Sequence, residues 1–95
     1  MKGYIVCVYE NINDETALKE YAAKATSAAK KYDGKFLIRG GKKITTEGRN
    51  FVRTTVIEFS SLSIAKEFFY SQDYQSAHKL LKKTVVRNHQ IIEGT

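Results

Sequence analysis

The sequence has no proline, no tryptophan and a single cysteine. With Cys7 alone, no intrachain disulfide can form, so stability has to come from packing. No Pro- or Ser-rich tract appears, and apolar and aromatic residues are plentiful, so nothing in the composition points to disorder. Long hydrophobic runs are also missing: no segment approaches the roughly 18 consecutive apolar residues that cross a bilayer. The opening Met1-Lys2-Gly3-Tyr4 leads into a strand-like stretch broken by Glu10, which lacks the longer apolar region of a secretory signal. One unpaired thiol and no signal give the expectation of a cytoplasmic protein.

Acidic residues are in the minority. Sixteen Lys and Arg stand against ten Asp and Glu, a formal charge of +6 that biases the chain towards anions. The basic residues are dispersed, as Lys30-Lys31, Lys42-Lys43, Lys82-Lys83 and the single Arg39, Arg49, Arg53 and Arg87. Two of the pairs fall where helix C-termini are expected, and cations there offset the helix dipole. At 95 residues the chain accommodates one domain, 1–95, and buries only about two-thirds of its unfolded surface, so further burial through self-association is the natural supplement.

Gly3 to Glu10 (GYIVCVYE) is rich in β-branched and aromatic residues and predicts a strand. Asn13 is the expected N-cap of a helix over 14–32. There Leu18, Tyr21, Ala22, Ala25, Ala28, Ala29 and Tyr32 recur at helical spacing, and Gly34 supplies a left-handed C-terminal stop. Lys35 to Arg39 predicts a second strand that Gly40-Gly41 bends or bulges, with extended residues resuming at Ile44 to Glu47. Phe51 to Phe59 predicts a third strand, antiparallel to the second. The next helical pattern, from Leu62, breaks at Ser71-Gln72-Asp73 into two short helices, with Ser71 capping the second, and Asn88 to Glu93 closes as a last strand.

The order β-α-β-β-α-β predicts an α+β, ferredoxin-like domain, with two helices covering one face of a four-stranded antiparallel sheet. The other face of such a sheet is ordinarily wet and its strands alternate. Here Ile5-Val6-Cys7-Val8-Tyr9, Phe36-Leu37-Ile38 and Val56-Ile57 are apolar at consecutive positions, so both faces are apolar. A second copy packed sheet to sheet with twofold symmetry would bury the uncovered one.

A run of features then resembles one family. They are Lys2-Gly3-Tyr4, Tyr21, Tyr32 to Gly41 (YDGKFLIRGG), Glu47-Gly48, Val56 to Phe59 (VIEF), Phe69-Tyr70, Ser71 to Gln75 (SQDYQ) and Glu93-Gly94. Over essentially the whole chain the sequence is similar to the bacterial family known as domain of unknown function 1330, in the dimeric α+β-barrel superfamily. It departs at Ser60, where such sequences usually have proline, and at Phe69, where they often have tryptophan. The resemblance implies a ferredoxin-like protomer and a dimeric barrel, and no activity.

Five residues are candidates for ligand binding. If Phe36 and Ile38 face the helices, Arg39 and Glu58 become neighbours on the barrel face. There they would form either a polar anchor in which Arg39 grips an anionic group bidentately, or a structural ion pair between subunits. Tyr70, Ser71 and Tyr74 cluster at the helix break and could rim a pocket, or simply cap and pack. His78 and His89 lack a partner at metal-ligand spacing, so neither a metal nor any other cofactor is expected. Cys7, between valines, reads as a small buried hydrophobe.

Three functions compete. The first is binding or transformation of a small organic molecule in a cavity between sheet and helices; the folds of cofactor-free monooxygenases and isomerases supply only an analogy. Haem-degrading and quinone-forming relatives lean on tryptophan, which is absent. The second is a non-catalytic dimeric interaction or regulatory module. The third is RNA binding, which the same element order and basic charge allow. An RNA-recognition motif, however, needs stacking aromatics where this chain has Arg49 and Thr54, and only Phe51 survives.

Overall fold

The computed structural model describes all residues from Met1 to Thr95. Strand β1 (Gly3–Ile12) leads to helix α1 (Glu15–Lys31), followed by strands β2 (Lys35–Arg39) and β3 (Arg53–Phe59). Helices α2 (Leu62–Tyr70) and α3 (Gln72–His78) then precede strand β4 (Val85–Glu93). The four strands form one antiparallel sheet in the order β2-β3-β1-β4, the ferredoxin-like arrangement. No helix is long and apolar enough to cross a membrane.

Local chemistry accounts for the helix ends. Asp14, not Asn13, caps α1, its side chain accepting from the Ala17 amide; Asn13 is instead tied through its backbone N–H to Thr84. At the other end the left-handed residue is Asp33 (φ 56°), one position before the expected glycine. The Asp33 N–H reaches the Lys30 carbonyl and the Gly34 N–H reaches that of Ala29, which together make a Schellman stop. Gly34 is required for a different reason: a Cβ there would lie 2.7 Å from the Phe59 ring. Ser61 and Ser71 cap α2 and α3 by accepting from Ile64 and Tyr74. The predicted break into two helices is therefore present, with Ser71 as its pivot.

The strand boundaries differ from expectation in two places that matter. Residues 40 to 52 form no strand, so β2 ends at Arg39 and β3 starts at Arg53. The bulge expected at the glycine pair lies earlier: Phe36 pairs with Ile57 and Ile38 with Val56, which leaves Leu37 as the extra residue. Strand β4 begins at Val85 and not at Asn88, which brings Arg87 into the sheet.

The core lies between the sheet and the helices. Ile5, Cys7, Ile57 and Phe59 meet Leu18, Ala25, Ala29, Ala65, Phe68 and Tyr74, all buried. Phe68 packs 5.1 Å from Phe59 and 4.8 Å from Tyr74, ring centre to ring centre. The opposite sheet face has no layer over it, as the molecule's short dimension of 18 Å against 30 and 30 Å requires. Tyr4, Val6 and Val8 stand at its centre and Ile38, Ile92 and Val86 stay about half exposed, as the run of doubly apolar strands predicts.

Candidate functional site

Strand register sorts the helix-facing side into rows. Phe36, Ile57, Ile5 and Ile91 lie side by side as an apolar row. The next row is Arg39, Thr55, Cys7 and His89, and the one beyond it is Arg53, Tyr9 and Arg87. One end of the sheet is therefore apolar beneath the helices, and the other gathers three guanidinium groups, a phenol, a thiol and an imidazole.

Helix α1 roofs these rows with Leu18, Tyr21, Ala22, Ala25 and Thr26, and encloses a cavity of about 50 Å³. The small alanines in the roof leave the space open, whereas a leucine in either place would fill it. That volume holds a few water-sized groups, on the order of three to five at 10–15 Å³ each, and suits a small organic fragment. Arg39 and Arg53 line it, Arg39 with its guanidinium 3.7 Å above the Phe36 ring.

Arg87 organises the polar end. Its Nη1 donates to the hydroxyls of Tyr9 (3.1 Å) and Tyr21 (3.3 Å) and approaches the Cys7 sulfur (3.5 Å). Its Nη2 donates to Tyr74 (3.1 Å), whose hydroxyl also shares a 2.8 Å hydrogen bond with Tyr21. Nε makes no hydrogen bond within the chain. The chain's salt bridges are Lys2–Glu58, Lys31–Asp73 and Arg49–Glu10, so none of the three cavity arginines faces a carboxylate. No Asp or Glu lines the cavity.

This environment sets the protonation states. Burial pushes the Tyr9 phenol up to about 12, against a smaller downward pull from Arg87. Burial likewise raises Tyr74, reinforced by Tyr21, and raises the Cys7 thiol despite the nearby Arg87 charge. His89 is depressed to about 4, first by burial and then by Arg87 and His78. Burial works against the charge on Arg87, yet Tyr21, Tyr74 and Cys7 around it hold it protonated above its ordinary range. At neutral pH the site therefore offers fixed cations and neutral donors, with a neutral imidazole as its one available base.

The five sequence candidates do not come together. The Leu37 bulge shifts the alternation of β2 by one residue, so Arg39 faces the helices and Glu58 faces the open side. Glu58 is held there by the Tyr4 hydroxyl (3.3 Å) and Lys2 (3.6 Å), and it does not pair with Arg39. Tyr70 is 72% exposed and packs only edge-on against Phe69. Ser71 is occupied in capping, donating to the Phe68 carbonyl and accepting from the Tyr74 amide. Tyr74 does reach the polar end, through its bonds to Tyr21 and Arg87. Sequence reading missed Arg87, Arg53, Tyr9 and Tyr21. The available signal was parity: Tyr9 is in phase with Ile5 and Cys7, and Val85-Val86 is enough to carry the last strand back over Arg87.

With that geometry in place, comparison is informative. The family profile described as domain of unknown function (DUF1330) matches residues 2–95. The chain belongs to the DUF1330 family. A comparison with curated proteins finds no significant match. Among solved structures, a protein of unknown function from Rhodopseudomonas palustris is similar with TM-score 0.77 at 12% identity, covering 99% of this chain and 82% of that one. A dimeric ferredoxin-like protein of unknown function from Jannaschia sp. CCS1 gives 0.76 at 13% identity, over 99% and 100% of the two chains. An ethyl tert-butyl ether D (EthD) family protein from Bacillus halodurans C-125 gives 0.63 at 16% identity, over the full length of both. At these identities the likeness is one of fold, and the fold of this DUF1330 member is ferredoxin-like.

Proposed function

We propose that this DUF1330 chain is one subunit of a homodimer, paired sheet to sheet, that holds a small organic molecule in the cavity between its sheet and α1. The observation that carries the binding reading is the cavity itself. It is apolar along Ile5, Leu18, Phe36 and Ile57 and meets convergent polar groups at Tyr9, Arg53 and Arg87, the usual make-up of a small-molecule site. A core that needed only packing would close over the alanines of α1.

The uncovered sheet supports the dimer. A face about 30 Å across is of the size, roughly 800 Å² per partner, that specific dimers bury. Its centre is apolar, with Tyr4, Val6, Val8 and Val56, and its edges carry Lys35, Asn88 and Gln90. A fold-neighbour described as dimeric is consistent with this. Dimerisation leaves the cavity free, since its lining lies on the helix-facing side of the sheet.

Native mass spectrometry of the purified protein tests both parts. A dimer mass carrying an added small-molecule mass is expected when a cell extract of small metabolites is supplied. A monomer at micromolar concentration would refute the pairing, and a dimer that takes up nothing from any extract would refute the binding.

A further inference from the structure

The cavity reading leaves open what kind of molecule enters. We infer that the ligand is a small organic anion, a short-chain carboxylate. Its charged end would meet Arg87 and Arg53 on either side of Tyr9, and its apolar end would lie on the Phe36–Ile57–Ile5 row. This rests on the proposed function and specifies the chemistry of the same site.

Charge balance is the first ground. Arg53 and Arg87 both pair with Tyr9 across adjacent strands, so they flank one residue from opposite sides with no acidic group between them. Arg39 stands one row away, and no carboxylate of the chain contacts any of the three. Charges taken partly out of water are generally paired, and like charges brought together on one floor repel. An anion supplied from outside removes both penalties at once.

The donor inventory is the second ground. The hydroxyls around Arg87 consume Nη1 and one N–H of Nη2, and leave Nε without a partner in the chain. Arg53 makes no side-chain hydrogen bond in the chain, and Arg39 is engaged only through its stacking on Phe36. Guanidinium groups with spare planar N–H donors match the two oxygens of a carboxylate. Aspartate and glutamate are absent from the lining, while the protonated Tyr9 phenol adds a further donor. The polar end is thus built to give hydrogen bonds and hold positive charge.

Shape is the third ground and selects among anions. A cavity of about 50 Å³ with most of its lining apolar excludes nucleotides and favours an acid with a short hydrocarbon body. Inorganic phosphate would leave the Phe36–Ile57–Ile5 row uncovered.

Isothermal titration at pH 7 with two matched pairs, propanoate against propanamide and butanoate against butanamide, separates charge from shape. Each carboxylate is expected to bind at least tenfold more tightly than its amide. The preference should shrink to twofold or less in Arg53→Gln, which removes a side chain with no bonds in the chain and therefore keeps the wild-type melting temperature. Amides that bind as well as the carboxylates overturn the anion assignment and leave the cavity reading intact. If none of the four binds, both fall. Inorganic phosphate binding more tightly than either carboxylate overturns the organic class, and an undiminished preference in Arg53→Gln overturns the role given to the arginine row.

Discussion

Acidification below pH 6 should cost this protein stability, most of all through the His89 imidazole, with His78 lowered in the same direction by burial and Arg87. His89 lies in the second row of the sheet, packed 5.4 Å from Phe69 and 6.2 Å from Tyr74, with the Arg87 cation two residues away on the same face. Both its burial and that cation oppose protonation, which lowers its pKa from 6.5 in the unfolded chain to about 4 in the fold. The folded state therefore binds fewer protons than the unfolded state between these values. The contribution of a neutral His89 is complete above pH 6.5 and is lost progressively as the pH falls towards 4. At pH 4.5 that loss amounts to about 2–3 kcal/mol. For a domain of this size, whose total stability is on the order of 5–14 kcal/mol, this is a substantial fraction. His89→Phe keeps a ring against Phe69 and Tyr74 but takes up no proton. Urea unfolding of both proteins at pH 7.0 and 4.5, at one protein concentration, isolates the imidazole, because carboxylate titration is common to the two. Wild type should lose about 2–3 kcal/mol more than the variant between these pH values. Equal losses would refute the reasoning, as would a His89 titration near 6.5 followed by NMR.

Other substitutions probe other joints of the structure. Tyr74→Phe removes a buried hydroxyl bonded to Tyr21 and Arg87 and should destabilise the fold by about 1–3 kcal/mol in urea unfolding. Ser71→Ala removes the cap at the α2–α3 break and should cost about 1 kcal/mol, while leaving carboxylate binding unchanged by titration calorimetry. Val6→Lys, at the centre of the uncovered sheet, should convert the proposed dimer to a monomer in light scattering after size exclusion, with far-UV circular dichroism unchanged. Deleting Leu37 removes only the extra residue, so Phe36, Ile38 and Arg39 should keep their partners Ile57, Val56 and Thr55, and carboxylate binding by titration calorimetry should stay within about twofold of wild type.

The parts of the fold that sequence made legible are those set by short-range chemistry. The α1 stripe of Leu18, Tyr21, Ala25 and Ala29, the Ser71 cap and the element order all follow from neighbours within a turn or two. The doubly apolar strands are equally local, and they lead directly to the uncovered sheet. The candidate site was far less legible because it depends on register. One bulged residue at Leu37 reverses the facing of Arg39 and separates it from Glu58, and nothing in KFLIR marks where the extra residue sits. Arg87 finds its partners 66 to 80 residues away, at Tyr21, Tyr9 and Cys7, so no local pattern announces that an arginine belongs inside a strand. Tyr74 was a candidate for its place at the helix break, yet it matters through a hydroxyl directed at β4 and α1. Asp33, rather than Gly34, turns left-handed, and Gly34 is needed instead where Phe59 comes too close for any side chain.

The central claim is that the helix-facing arginine row is a binding site, and side-chain NMR addresses it most directly. Uniformly 15N-labelled protein titrated with butanoate should show the Arg87 Nε–Hε resonance shifting and saturating together with that of Arg53. The Arg49 resonance and the backbone amides of Val86 and Ile92 should stay fixed. Saturable shifts confined to the open sheet face, or none at Arg87 and Arg53 while butanoate is in excess, would contradict the account.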